Sequence, residues 1–119
     1  MAVKLITDIP GPNSIALLER RKDSVAKGHG SVSDIFIQKA ESALLTDVDG
    51  NVFIDFAGGI GSMNVGHMHP EVITAAEEQL QKYIHTCFTV APYEGYVKLA
   101  EILSNKAPIN SACKAAFFN

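Results

Sequence analysis

Four histidines and two cysteines are the most reactive side chains in this 119-residue sequence. His67 and His69 form an H-x-H pair, and with His85 they could be drawn as a three-histidine zinc site, neutral imidazole being a good zinc ligand. The spacing argues against it. His69 precedes Pro70 and falls at the cap of a helix, whereas His85 falls at its far end, more than ~20 Å along an axis that rises about 1.5 Å per residue. Loop and cap histidines that hydrogen-bond backbone groups are the plainer reading. His85 and Cys87 make a Cys/His pair that would share one face of an extended segment. Cys87-Phe88 sits in an apolar run, however, which favours a quiet structural thiol over an activated one. Asp47, Asp49 and Asn51 alternate as in a calcium loop, but the glycine falls fourth rather than sixth, and Gly58 stands where a bidentate Glu is needed. Nothing fixes a separation between Asp55 and Glu41 that would make them a carboxylate pair. There is no nucleophile elbow, no P-loop and no H-E-x-x-H. These residues do not make a complete catalytic set.

The segment Ala57-Gly58-Gly59-Ile60-Gly61-Ser62-Met63-Asn64-Val65-Gly66 holds four glycines in nine residues. Such density marks backbone that turns sharply or lets another group approach closely. Gly59-Ile60-Gly61 after a strand imitates a dinucleotide fingerprint, but Asn64 holds the third glycine's place and the chain runs on into His69-Pro70.

The elements that must position these residues follow from pattern. Pro10-Gly11-Pro12-Asn13-Ser14 predicts a break and then a helix from Ile15 to about Ala26, capped by Ser14, with Ile15, Leu18 and Val25 on one stripe. Arg20-Arg21-Lys22 reads as a solvated helix face, and Gly28-His29-Gly30 as its end. Three strands are predicted at Ile35–Ile37, Ala43–Thr46 and Val52–Phe56, the last two joined by a two-residue Asp49-Gly50 turn with positive φ at both positions. A helix from Pro70 to about Ile84 carries Val72, Ala76, Leu80 and Tyr83 on one face. Another begins at Pro92, carries Tyr93, Tyr96, Val97, Ala100 and Leu103, and stops at Ala107-Pro108. Ala115-Ala116-Phe117-Phe118-Asn119 reads as a buried strand.

Composition sets the wider limits. Hydrophobic residues make up 47% and charged residues 19%, with a formal charge of -3. That describes one ordinary domain able to build a single core but not two domains with a cleft between them. A net negative charge gives no broad field for nucleic acid or an acidic membrane face. The apolar runs fall far short of the ~20 residues that span a bilayer, and the first dozen residues lack the apolar stretch of a signal peptide. Two cysteines without partners at metal-ligand spacing suit a reducing cytoplasm.

Several segments together resemble one family. Gly11-Pro12-Asn13-Ser14, Asp55-Phe56-Ala57-Gly58-Gly59-Ile60, Asn64-Val65-Gly66-His67-Met68-His69-Pro70 and His85-Thr86-Cys87-Phe88 look like the N-terminal portion of class III aminotransferases, and the first and last of them most resemble those acting on 4-aminobutyrate. The resemblance covers nearly all of this chain and about the first quarter of the family's length. It implies an α/β fold: the N-terminal segment of a fold-type I pyridoxal-phosphate transferase, with a helix, a three-stranded antiparallel sheet, two helices and the start of the large-domain sheet. The implied divisions are an arm and helix at 1–28, the sheet and glycine-rich loop at 29–69, and two helices at 70–119 leading into the first strand of the cofactor domain.

The resemblance further implies pyridoxal phosphate as cofactor, an amino acid and a 2-oxo acid as substrates, and a homodimer. In relatives the phosphate-binding turn, the ring-stacking aromatic, the Asp on the pyridine nitrogen and the cofactor-bearing Lys all come later, so no catalytic or cofactor-binding residue is expected here. Ile60 matches a residue that lines the substrate pocket of 4-aminobutyrate enzymes, with Gly59 and Gly61 beside it. Thr89 stands where relatives often have Gln near the active site, and Gly61-Ser62-Met63 replaces an Ala-Val-Leu type of sequence. The expected activity is transfer of the amino group of 4-aminobutyrate, or of a similar ω-amino acid such as 5-aminovalerate or ornithine, to 2-oxoglutarate, with the 119 residues inactive alone. The rival readings are a stand-alone interaction domain and a small metalloprotein using His67, His69 and His85.

Overall fold

Proline has no amide proton to lose and a φ already near the helical value, so it can open a helix as its first residue. In the computed structural model, which describes residues 3–118, α1 (Pro12–Ser24) does so, with Gly11 in the extended cap position. The predicted start at Ile15 under a Ser14 cap is corrected: Ser14 lies inside the first turn, fully buried. The amides of that turn are taken from outside the helix. Asn13 N donates to Asp49 Oδ1 at 2.7 Å and Ser14 N to Asp49 Oδ2 at 2.9 Å. A carboxylate across the positive end of a helix does the work usually done by the cap residue itself.

Asp49 belongs to the loop between two strands of an antiparallel sheet, ordered β1 (Ile37–Glu41), β2 (Leu44–Asp47), β3 (Val52–Ile54). The register pairs Glu41 with Leu44 and Ala40 with Leu45 in one ladder, and Leu44 with Ile54 and Thr46 with Val52 in the other. The predicted strand at Ile35–Ile37 thus begins too early and stops too soon. Its extent is set by pairing with β2 across the tight turn at Ser42-Ala43, and the β-branched run before it contributes only Ile37, beyond an irregularity at Gln38. The third strand stops at Ile54, short of the predicted Phe56.

The β2–β3 connection also differs from the expected two-residue turn. Only Gly50 has positive φ, +84°. Gly50 N donates to Asp47 O at 3.1 Å and Asp47 N to Asn51 O at 3.0 Å, which makes a three-residue loop with its glycine in the left-handed position. The alternating Asp47, Asp49 and Asn51 spend their side chains on hydrogen bonds. Asp47 Oδ1 accepts from Asp49 N and Asn51 N, and Asn51 Nδ2 donates to Asp47 Oδ2. Asn51 Oδ1 accepts the amides of Ile6 and Thr7 at 2.8 and 3.0 Å, while Lys4 and Val52 exchange backbone bonds along the edge of β3. The N-terminal arm is thereby sewn to the sheet, and a strand edge is covered.

Pro70 opens α3 (Pro70–Leu80), and the His69 carbonyl accepts the Ile73 amide as an N-cap carbonyl does. The helix stops four residues before the predicted Ile84. The Gln79 carbonyl accepts both Lys82 N and Tyr83 N, and its side chain donates to Tyr83 O, so the last turn tightens and closes. Tyr83 joins an aromatic cluster instead of a helix stripe: it tilts against Tyr93 at 5.7 Å, and Phe88 stacks on Tyr96 at 3.9 Å. The last helix, α4 (Glu94–Lys106), begins two residues after Pro92, with extended Tyr93 as its cap.

Residues 115–118 form no ladder, which corrects the predicted terminal strand. A strand needs neighbours, and none is present among the described residues. The Phe117 amide goes to the Tyr96 hydroxyl at 3.0 Å, and Asn119 lies outside the described residues. The chain divides into two compact units between Ala76 and Glu77. No hydrophobic side chain among the described residues is buried.

Candidate functional site

The glycine-rich segment after β3 winds into a single left-handed turn, α2 (Gly58–Gly61). Its four residues have φ of +51°, +59°, +58° and +76°. Glycine takes this conformation freely, whereas isoleucine, branched at Cβ, does so rarely and at a cost of about 1–2 kcal/mol. Ile60, with φ +58° and ψ +49°, is that case. Its side chain is 98% exposed, so packing within this chain does not compensate the strain. The turn is closed by Gly61 N to Ala57 O at 3.1 Å, Met63 N to Gly58 O at 2.9 Å and Ser62 Oγ to Gly59 O at 2.8 Å. A Cβ on Gly59 would come within 2.7 Å of Ser62 Oγ. The predicted pocket residues Gly59, Ile60 and Gly61 therefore share one turn with Ile60 exposed on it.

Asp55 anchors the entry to this turn. Its Oδ1 accepts the amides of Ala57 and Gly58 at 3.0 and 2.8 Å, and its Oδ2 meets His67 Nε2 at 2.7 Å. The His67 hydrogen bond, followed by that of the Gly58 amide, holds the Asp55 carboxyl below the ordinary carboxylate value against the opposing effect of burial. Beyond the turn, an open groove of about 490 Å³ runs past Met63, Met68, His69 and Val72.

The other candidate residues fall out as follows. His67 is engaged with Asp55, and the described residues contain no group of three His, Cys, Asp or Glu able to hold a metal ion. Glu41 pairs with Lys39 at 2.9 Å and takes no part with Asp55. Cys87 lies in a reversing turn, not in the extended segment expected, with φ +56° and its carbonyl accepting Val90 N and Ala91 N. Its thiol meets the Thr89 hydroxyl at 3.2 Å, and that contact lowers the thiol pKa from its usual value. The residue that sequence reasoning missed is Asp55 as the partner of His67. A local signal existed: an Asp followed two and three residues later by small residues is the pattern of a carboxylate folding back on its own backbone.

A short sheet, a glycine turn and a G-H-x-H-P segment leading into a helix thus follow one another along the chain. The fold matches an omega-transaminase from Sphaerobacter thermophilus with a TM-score of 0.73 at 24% identity, over 83% of this chain and 23% of that one. Residues 24–119 match the aminotransferase class-III family, and the chain belongs to it. It is similar to the 4-aminobutyrate aminotransferase of Escherichia coli K12, 45% identical over 82% of this chain and 23% of that protein. It is likewise similar to the 5-aminovalerate aminotransferase of Pseudomonas aeruginosa, 46% identical over 78% of this chain and 22% of that protein. The chain thus spans about a quarter of the length of the curated relatives it matches. The family resemblance drawn from the motifs is borne out.

The family implies pyridoxal phosphate. A lysine that bears the cofactor must be enclosed, so that desolvation frees its amine, yet every lysine of this chain is exposed. The residues described here do not by themselves fit the cofactor.

Proposed function

We propose that this chain supplies the substrate-facing N-terminal segment of an aminotransferase that moves the amino group of 4-aminobutyrate, or of a similar ω-amino acid, to 2-oxoglutarate. When bound, pyridoxal phosphate supplies the electron sink for such an exchange. In this reading the groups that hold it belong to other parts of the enzyme, the 119 residues are inactive alone, and the working form is a cytoplasmic homodimer. No helix among the described residues is long and apolar enough to cross a membrane.

The observation that carries the reading is the left-handed turn with an isoleucine held in it. A strained backbone that places a large apolar side chain almost fully in solvent is hard to explain by stability, because it costs free energy and buries nothing within the chain. It is explained if Ile60 is one wall of a pocket for an unbranched methylene chain, with Gly59 and Gly61 leaving the backbone open beside it. The names of the relatives, one acting on 4-aminobutyrate and one on 5-aminovalerate, support a substrate of that shape.

The test uses the whole protein that carries this segment, reconstituted with pyridoxal phosphate. Glutamate formed from 2-oxoglutarate is followed with 4-aminobutyrate, 5-aminovalerate and ornithine as donors. Turnover is expected with the two unbranched ω-amino acids, 4-aminobutyrate leading; absence of glutamate with all three donors refutes the reading.

A further inference from the structure

We infer that Asp55 and His67 are positioning residues for the substrate pocket: together they tie the left-handed turn that carries Ile60 to the β-sheet. The inference rests on the reading of Ile60 as a pocket wall.

Glycines 58, 59 and 61 accept either hand of backbone, so they permit the turn without enforcing it. Ile60 opposes it. Something outside the turn must hold it, and the hydrogen bonds show what does. Asp55 directly follows β3, and its own amide donates to Ala43 O at 2.9 Å, so its position is fixed by the sheet. One carboxylate oxygen grips the two amides that enter the turn, Ala57 and Gly58, and the other grips His67 Nε2. Both side chains are largely enclosed, Asp55 7% and His67 19% exposed. A charge-assisted hydrogen bond of 2.7 Å between enclosed groups is among the stronger kinds.

His67 in turn is not free to follow the turn. Its amide donates to Ser42 O and its carbonyl accepts Ser42 N, both at 2.8 Å, which pins it to the β1–β2 connection. The approach is close enough to require Gly66, at φ +84°, where a Cβ would stand 3.1 Å from Ser42 O. The position of Ile60 is therefore referenced to the sheet along one line of contacts: Ser42, His67, Asp55, then the amides of Ala57 and Gly58. If this line is cut, the turn stays in the chain but its most strained residue is released, and an apolar wall displaced by a fraction of its width fits the methylene chain less well.

The experiment is made in the whole protein with pyridoxal phosphate bound, comparing His67→Phe, which cannot donate to Asp55, with His67→Gln, which can. For His67→Phe the KM for 4-aminobutyrate rises about tenfold, the discrimination a methylene-sized misfit gives, while kcat changes by less than about threefold. His67→Gln returns KM to within about threefold of the unsubstituted protein. Amide exchange of segment 57–61, read by mass spectrometry, rises in His67→Phe and not in His67→Gln, with β1 and β2 unchanged. If His67→Phe does not fold, His67→Asn, too short to reach Asp55, takes its place with the same expectations. Unaltered KM and exchange in the folded broken variant, or equal losses in it and in His67→Gln, overturn the inference alone. An unsubstituted protein that turns over no ω-amino acid overturns the reading of the site and this inference together.

Discussion

Ile60 and Asp49 show how single residues here are placed by forces other than their own preferences. Relief of the left-handed strain favours glycine at position 60 by about 1–2 kcal/mol, and the greater freedom of glycine in the unfolded chain returns about 0.5–1. Ile60→Gly is therefore expected to leave stability unchanged or raise it by up to about 1.5 kcal/mol in denaturant unfolding, while KM for 4-aminobutyrate rises roughly tenfold. A variant that is destabilised with KM unaltered would mean that Ile60 serves packing, not substrate. Asp49 is read through pH. Burial works against its ionisation, but hydrogen bonds from Ser14 and Asn13 outweigh burial and lower its pKa from the ordinary 3.8. A lowered folded-state pKa gives stability that is present above the unfolded value and lost as pH falls through the folded one. Below about pH 4 the unsubstituted protein should lose stability more steeply than Asp49→Ala. Parallel acid limbs would show that the cap is held by something else. Sequence alone exposed the residue types at this scale, including the unusual glycine density around Ile60. It did not expose their partners: Asn13 and Asp49 lie 36 positions apart, and only a fold brings them to 2.7 Å.

Among the elements, the hairpin loop does more than turn the chain. Asn51 is fully buried and joins the arm at Ile6 and Thr7 to Asp47, so its removal leaves the amides of Ile6 and Thr7 and a carboxylate oxygen of buried Asp47 without their partner. Asn51→Ala is expected to weaken docking of the arm by about 2 kcal/mol, or about thirtyfold in amide exchange at Ile6 and Thr7. Exchange there that matches the unsubstituted protein would show the arm to be held by the Lys4–Val52 bridge instead. Helices were the most legible elements. Pro70 and Ala107-Pro108 punctuate the chain by steric rules that act locally. The ends set by tertiary contacts were not legible: the close of α3 is decided by Gln79 and by the pull of Tyr83 into the aromatic cluster, and β1 by its pairing with β2. The D-x-D-G-N pattern shows the ambiguity of a motif read without neighbours, since the same alternating oxygens that could ligate calcium here accept and orient backbone amides.

For the molecule as a whole, the exposure of its apolar side chains is the deciding quantity. No hydrophobic side chain is buried among the described residues. Val72 and Leu80 on α3, and Val97 and Leu103 on α4, stand 44–60% exposed although their helical spacing is that of a buried stripe. Purified by itself, the 119-residue chain is expected to bind a hydrophobic dye and to unfold in urea without a sigmoidal transition. A sharp cooperative transition from a monodisperse monomer would instead favour a stand-alone domain.

Composition describes one ordinary domain with a single core, whereas no hydrophobic side chain is buried among the described residues, as suits the N-terminal segment that the motifs imply. By itself the sequence determined the class of protein, because the glycine turn, the G-H-x-H-P segment and the proline-started helices are local patterns that survive without knowledge of their surroundings. Only the tertiary structure decided the hand of the turn at Ile60, the Asp55–His67 link that ties it to the sheet, and the absence of a buried hydrophobic side chain among the described residues. Each of these depends on groups distant in sequence meeting, or failing to meet, in space, and composition counts apolar residues without saying what will cover them.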